Sequence, residues 1–489
     1  MSEMKFSKEL HSENTSIDGL VVYDLTVHGD NRGWFKENWQ REKMVAAGLP
    51  DFGPVQNNIS FNDKKGVTRG LHAEPWDKFV SIGAGSVFGA WCDIREDSPT
   101  YGETFTVELD PSKAIFVPRG VANGFQTLED NSVYMYLVND HWSPDAQYSN
   151  VSIFDESLPI EWPIPLSEAT ISEKDHSHPN LSEATPITPK KVLITGANGQ
   201  LGRALQQLYP NAECVDRDTL DISDPSVLTA RRWKDYGLIL NAAAYTAVDA
   251  AETPEGRKDA WQANAVAPQL LARIALEDHI TLVHVSSEYV FDGTQNLHVE
   301  DEGFSPLGVY GQTKAAGDIA IATAPQHYIV RTSWVIGDGK NFVKTMQSLA
   351  EKGVKPTVVD DQVGRLTFTT DLARGIKHLV DTKAEYGTYN LSNEGSEASW
   401  CDIAKSVYEQ SGASRDDVSP VSTEEYYANV REGAKKKAEE AGEVYEEPKI
   451  SPRPLQSTMN IDKIKNAGFT PRNWEDALRE YIDNSTKEE

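Results

Sequence analysis

At 489 residues the chain exceeds what one ordinary hydrophobic core supports, so at least two domains are expected. Hydrophobic residues at 39%, with 18 Tyr and 11 Trp, exclude a disordered chain. A net charge of −28 repels phosphate backbones and argues against a nucleic-acid partner, so an anionic substrate must be held by a few local Arg and Lys side chains.

The N-terminal stretch "MSEMKFSKELHSENTS" is polar and has no apolar signal core. No run approaches about 18 apolar residues, so no membrane span is expected. Cys92, Cys214 and Cys401 form no CxxC pair. That argues against a disulfide framework or thiolate zinc site and suits a reducing cytoplasm.

From about residue 19 to 160, short alternating runs are broken by Gly, Pro, Asn and Asp. "KFVSIGAGSVFGAWCDI", "TFTVEL", "AIFVP" and "VYMYLV" read as strands, and the texture predicts an all-β jelly roll or sandwich. Within it, "GVTRGLHAEPWDKFV" sets Arg69, His72 and Lys78 close together. Strict alternation would send Arg69 and His72 to opposite faces, but a bulge at Gly70 would bring both inside. With no His-x-His pattern and no second clustered histidine, no metal site is expected. "HPNLSEATPITPKK" carries three prolines and little apolar content, which predicts a linker over 179–190 between domains at 1–178 and 191–489.

Beyond Lys190 the texture becomes βαβ, with "KVLITG", "GLILNAA", "TLVHVSS" and "HYIVRTSWV" as strands and "QLGRALQQLY" and "NAVAPQLLARIAL" as helices. This predicts an α/β Rossmann domain, a doubly wound parallel sheet, with a smaller substrate-binding region. Gly196, Gly199 and Gly202 follow the first strand as G-x-x-G-x-x-G. Such glycines let the backbone approach a pyrophosphate at a helix N-terminus. Asp216 lies where a carboxylate could hold the adenosine ribose, and Arg217 could meet a 2′-phosphate, so both NADH and NADPH stay open. The expected cofactor set also includes Asn198, Gln200, Leu201, Asp221 and Ile222. "YGQTK" places Tyr310 and Lys314 four apart, on one face of a helix. The ammonium is expected to lower the phenol pKa toward a working value. Ser287, ending a predicted strand, could donate a hydrogen bond to a reacting carbonyl. "STEEYYANVREGAKKKAEEAGEVYEE" is so charged that it predicts a solvated helix or mobile insertion.

"LITGANGQLG", "LNAAAYTAVDAAE", "SSEYVFDG", "VYGQTKAAGD", "RTSWVIGDGKNFV" and "SPRPLQS" resemble the dTDP-4-dehydrorhamnose reductases, which are extended short-chain dehydrogenases. That resemblance implies a catalytic trio of Ser287, Tyr310 and Lys314. It sets Ala242, Ala243 and Ala244 along the cofactor and Trp334 and Arg453 on the substrate side. Two departures are Glu288, where the family has Asp, and Leu366, where it has Pro.

"DNRGWFKENW", "VQNNISFNDKKGVTRGLH", "DIREDSPTYGE", "FVPRGVANGFQ", "YMYLVNDHWSP" and "ISEKD" resemble dTDP-4-dehydrorhamnose 3,5-epimerase, a cupin-type jelly roll. The resemblance implies His72 as general base with Asp175 as its partner, Tyr136 as acid on the opposite sugar face, and Lys78 stabilising the enolate. Arg32, Glu37, Gln56, Asn58 and Arg69 would hold sugar and diphosphate, and Trp142 would stack on thymine. Asn123 replaces a family histidine and can hydrogen-bond a phosphate but carries no charge.

Together the resemblances imply a bifunctional, cytoplasmic enzyme that epimerises and then reduces a dTDP-sugar to dTDP-L-rhamnose. NADPH or NADH is the implied cofactor, any Mg2+ requirement stays open, and the jelly roll is expected to pair as a homodimer. Two other outcomes are a related product such as dTDP-6-deoxy-L-talose and a non-catalytic sensor of NAD(P) and sugar.

Overall fold

The computed structural model describes residues 10–485. The polar stretch at 1–9 and residues 486–489 lie outside the described residues. The chain divides into two units, Met1–Pro189 and Lys190–Glu489.

In the first unit, two antiparallel sheets face one another. One has six strands in the order Ser12–Asn14, Val21–Asp24, Lys113–Val117, Lys78–Ala84, Ser132–Val138, Gln56–Asn62. The other has five, in the order Ser149–Asn150, Thr68–Ala73, Val121–Thr127, Val87–Asp93, Thr104–Leu109. Inward residues of both sheets, among them Val80, Ile82, Trp91, Ile115 and Phe125, make one core. Each large apolar side chain so buried stabilises the fold by about 1.5–3 kcal/mol. This is the jelly-roll sandwich expected from the short alternating runs.

Leu71, Cys92, Val151 and Ile153 form a second cluster, and it takes in Ala184 and Ile187. Residues 179–190 were expected to act as a linker, yet much of this segment packs onto the first unit. Ile187 is fully buried, donates to the Ile94 carbonyl at 2.9 Å and accepts from Glu96 N–H at 2.9 Å. The Pro186 carbonyl accepts from Gln147 at 2.8 Å. Proline removes backbone donors without preventing a neighbouring isoleucine from burying its side chain.

The second unit is built on a six-stranded parallel sheet. Its order is Glu213–Val215, Lys191–Thr195, Tyr236–Asn241, Thr281–Ser287, His327–Thr332, Gly387–Asn390. Helices cover both faces through two apolar clusters, one around Leu271 and Ile239 and one around Leu240, Val330 and Ile376. A third cluster, holding Val343, Phe368, Ile403, Tyr408 and Leu478, is the smaller region expected beside the sheet. The order reverses at Lys191–Thr195. In doubly wound sheets that reversal opens a crevice beyond the strands' carboxyl ends.

The charged insertion forms a helix, Thr423–Ala441, with no buried residue. Ser422 caps its start, Gly442 in the left-handed region (φ +70°) ends it, and Thr423 N–H anchors it to Asp361 at 2.9 Å. Among the described residues no helix is long and apolar enough to cross a membrane.

Candidate active sites

The Thr68–Ala73 strand pairs irregularly with Val121–Thr127, and the register shifts between Asn123 and Phe125. Gly70 has φ +122°, and a Cβ there would lie 2.5 Å from the Gly124 Cα. Only glycine permits that close approach. As a result Arg69 and His72 both line one cleft of about 220 Å³, with Ser60, Glu74, Lys78, Asn123, Tyr134 and Tyr136. His72 and Asn123 come from the five-stranded sheet, Lys78 and Tyr136 from the six-stranded one. The expected base and acid therefore enter the cleft from opposite walls.

Asp175 sits in the short helix Glu173–His176, whose N-cap Ser172 accepts from Asp175 N–H at 3.1 Å. Its carboxylate meets His72 Nε2 at 2.9 Å. Burial opposes the charge on Asp175, but the bond from His72 outweighs it and holds the carboxyl below its usual range. With Nε2 turned to Asp175, His72 Nδ1 is left to accept a proton.

A second histidine stands in this cluster, contrary to the sequence expectation. His178 Nε2 lies 3.6 Å from Asp175 Oδ1, and its ring is edge-on to His72 at 5.4 Å. Burial and then the charge of His72 keep His178 below the usual histidine pKa. The three side chains place ligand-type atoms within 4.8 Å of one another. Sequence reading missed His178 because it lies 106 residues from His72 in "HPNLSEATPITPKK". The available signal was its nearness in sequence to Asp175, three residues on and just past the end of the short helix.

Lys78 Nζ is held by Glu74 and by the Asn123 side-chain carbonyl. Asn123 also donates to Tyr134 Oη at 3.2 Å. Asn123 is thus tied to the cleft lysine, and Glu74 and Tyr134 are further members that sequence reading missed. Lys78 Nζ is 5.5 Å from the Tyr136 ring centre. Burial first, and the charge of Glu74 second, raise the Tyr136 phenol, which keeps it protonated as a donor.

The other expected sugar and diphosphate residues do not line this cleft. Arg32 is exposed and paired with Asp30, and Glu37 pairs with Lys43 at 3.2 Å. Gln56 donates to Asn58 at 2.8 Å on the edge strand. Trp142 is 70% exposed.

In the second unit the glycine turn is built for close approach. Gly196 has φ +66°, and a Cβ there would lie 2.7 Å from Ala243 backbone. A Cβ on Gly202 would lie 2.2 Å from the Gly196 carbonyl oxygen. Gly199 caps the helix Gln200–Leu208. Gly196, Asn198, Gly199, Asp216, Arg217, Asp221, Ile222 and Ala242 to Ala244 line a cavity of about 340 Å³. Asn198, Gly199, Ala242 and Ala244 also line an adjoining cavity of about 620 Å³, together with Gln200, Leu201, Ser287, Tyr310, Lys314 and Trp334. A dinucleotide fits this donor set: glycine backbone for pyrophosphate, a carboxylate for ribose. Asn264 was missed. It donates to the Tyr245 carbonyl and to Thr313 Oγ1, fixing the cofactor loop to the Tyr310 helix.

Tyr310 and Lys314 share one face of the helix Val309–Ile321. Lys314 is fully buried, donates to the Val285 carbonyl at 2.7 Å, and is brought down to about 8 by burial. The expected lowering of the Tyr310 phenol is not found. Burial, then the charge of Glu288, raises it. Here the cost of burying a phenolate exceeds the help from an ammonium already engaged elsewhere. Ser287 Oγ donates to Glu288 Oε2 at 2.7 Å and accepts from Tyr289 N–H at 3.2 Å. Trp334 stacks on Trp400 at 3.9 Å. Arg453 pairs with Asp249 at 2.9 Å and does not line either cavity. Leu366 is fully buried in the third cluster. Its departure from the family pattern therefore faces the protein interior.

These two sites define a two-site enzyme: a jelly roll with a histidine–aspartate dyad, joined to a short-chain-type reductase. Residues 190–487 match the family described as RmlD substrate binding domain, and residues 14–183 match dTDP-4-dehydrorhamnose 3,5-epimerase. The protein RmlC homolog of Streptococcus pyogenes serotype M6 is 49% identical over 198 residues, covering 39% of this chain and 99% of that protein. The dTDP-4-dehydrorhamnose reductase of Mycolicibacterium smegmatis is 34% identical over 308 residues, covering 60% of this chain and 86% of the relative. A crystal structure of dTDP-4-dehydrorhamnose reductase from Bacillus anthracis in complex with NADP aligns with a TM-score of 0.53 at 31% identity. That alignment covers 60% of this chain and 99% of the other. The chain therefore belongs to the RmlD family over its C-terminal part and to the dTDP-4-dehydrorhamnose 3,5-epimerase family over its N-terminal part, as a fusion of the two.

Proposed function

We propose that the protein carries out two consecutive steps of dTDP-L-rhamnose synthesis. The first unit epimerises dTDP-4-dehydro-6-deoxy-D-glucose at C3 and C5, and the second reduces the C4 ketone of the product. The observation that carries this reading is the placing of His72 and Tyr136 on opposite walls of one cleft that also holds Lys78. A proton next to a ketone is acidic when the developing oxyanion is stabilised, which is work for the Lys78 ammonium. His72 takes that proton, and the Asp175 carboxylate at its Nε2 stabilises the imidazolium that results. Inversion requires the proton to return from the other side, where Tyr136 stands protonated. Epimerisation at both carbons applies this same step twice, His72 releasing its proton to solvent and Tyr136 regaining one from it in between.

In the second unit, NADPH or NADH supplies the hydride when bound. Tyr310 gives its phenolic proton to the carbonyl oxygen, Ser287 donates a hydrogen bond to that oxygen, and Lys314 holds positive charge beneath them. Gly196 and Gly199 meet the pyrophosphate, Gly202 lets the helix pack closely against the turn, and Asp216 and Arg217 meet the adenosine ribose.

A coupled assay with dTDP-4-dehydro-6-deoxyglucose and each nicotinamide cofactor tests the whole reading. Cofactor oxidation is expected, with dTDP-L-rhamnose as the product by NMR. A talo-configured product would move the reading to the related deoxysugar, and no turnover would leave a sensor.

The reading includes a homodimer formed through the jelly roll and a cytoplasmic location. Gln56–Asn62 is an edge strand whose Ile59 and Phe61 are 63% and 60% exposed, and Phe35 in the separate hairpin of Val27–Asp30 and Gly33–Lys36 is 70% exposed. An unpaired apolar edge of this kind favours a partner strand. The cysteines are all free, as a reducing compartment allows. Ile59→Lys with Phe61→Lys is expected to yield monomers by light scattering. A wild-type chain already monomeric at micromolar concentration would remove the dimer.

A further inference from the structure

Ser287 has a single proton to give. A hydroxyl donates once and accepts twice. Its oxygen accepts Tyr289 N–H at 3.2 Å, and its proton points to Glu288 Oε2 at 2.7 Å. A serine committed in this way has nothing left to donate to a substrate carbonyl. A neutral Glu288 can reverse the bond. The carboxylic acid donates to Oγ, fills its second lone pair, and frees the serine proton for the cavity it shares with Lys314 and with Tyr310, whose phenol is the third hydrogen-bonding neighbour of the hydroxyl.

We propose that Glu288 is a positioning residue of the reductase site: as a neutral carboxylic acid it turns the Ser287 hydroxyl toward the ketone, and its ionisation withdraws that donor. This rests on the reading of the second unit as a ketone reductase. The Glu288 proton is not consumed. The hydride goes to carbon, the Tyr310 proton goes to oxygen, and Glu288 keeps its proton through turnover.

The surroundings favour the neutral acid. Glu288 is 3% exposed. The nearby cations are already engaged: Lys314 with the Val285 carbonyl, and Arg453 with Asp249 and the Ser451 carbonyl. Asp318, one turn beyond Lys314, is paired with Arg331 at 3.0 Å. What faces Glu288 is uncharged, namely the hydroxyls of Ser287 and Ser457 and the phenols of Tyr289 and Tyr310. Arg453 and Tyr427 in turn face Tyr289. Burial pushes the carboxyl up to about 7, against the pull of the two serines. A carboxylate replaced by an amide keeps a donor on the same atoms at every pH.

The test compares wild type with Glu288→Gln by kcat for ketone reduction from about pH 5.5 to about pH 8.5. The wild type is expected to hold a plateau at low pH and to fall by up to about tenfold per pH unit above the Glu288 pKa. Glu288→Gln is expected to lower the plateau by at most about threefold and to lose the fall attributable to Glu288. NADPH affinity by fluorescence titration should be the same in both, showing an intact fold. A second readout needs no turnover: the infrared difference spectrum, wild type minus variant, should show a neutral carboxyl band at low pH that titrates away near neutrality. Coincident pH profiles, or a Glu288 already ionised at low pH, would overturn the proposal. If the wild type fails to oxidise NADPH with the keto sugar, the reductase reading falls, and the infrared titration alone then decides the state of Glu288.

Discussion

Tyr310→Phe is expected to abolish NADPH oxidation while leaving the exchange of sugar protons with D2O untouched. The phenol lies in the cavity lined by the cofactor glycine and by Ser287, and burial keeps it protonated, the state in which it can give a proton. Removing a positioned general acid costs about 10²–10⁴ in rate. Phenylalanine keeps the ring, and with it the edge-on contact to Tyr289 at 5.6 Å, so packing is preserved. Deuterium uptake, read by mass spectrometry, depends on the first unit and should proceed at the wild-type rate. Oxidation above about a tenth of wild type would dismiss Tyr310 as the proton source.

His72→Ala is expected to do the converse. Exchange at C3 and C5 should fall by about 10²–10⁴, because no other base is set in place by Asp175 and exposed to the cleft. His178 touches the same carboxylate, but its side chain is 5% exposed against 35% for His72, so it cannot take over the substrate side. Reduction of an already epimerised L-keto sugar should be unchanged in this variant, which separates loss of a base from loss of fold. Full exchange in His72→Ala would remove the base assignment and return the choice to the other titratable groups of the cleft.

The candidate site positions of the second unit were the most legible. A glycine turn after a strand, and a tyrosine four residues before a lysine, are local patterns, and local backbone geometry makes neighbours of them. What misled was electrostatics. Spacing places Lys314 on the same helical face as Tyr310 but cannot say that burial dominates the phenol or that Val285 already occupies the ammonium. Glu288 was visible only as a departure from a family pattern. Its burial and its bond to Ser287, on which its proposed role rests, appear only in three dimensions.

The first unit shows a similar division. Alternating short runs predicted the sandwich, and Gly70 predicted the irregularity that brings Arg69 and His72 to one cleft. The role of "HPNLSEATPITPKK" could not be read, because proline content reports backbone stiffness while Ile187 and His178 act through side chains that find partners far along the chain. By itself, then, the order of residues determined two domains, their fold classes, and a set of candidate proton-transfer side chains. Tertiary structure alone decided which of those side chains meet across a cleft, which are buried, and which charges are already paired. Burial and pairing depend on contacts between residues separated by tens to hundreds of positions, and desolvation of a charge has no local signature.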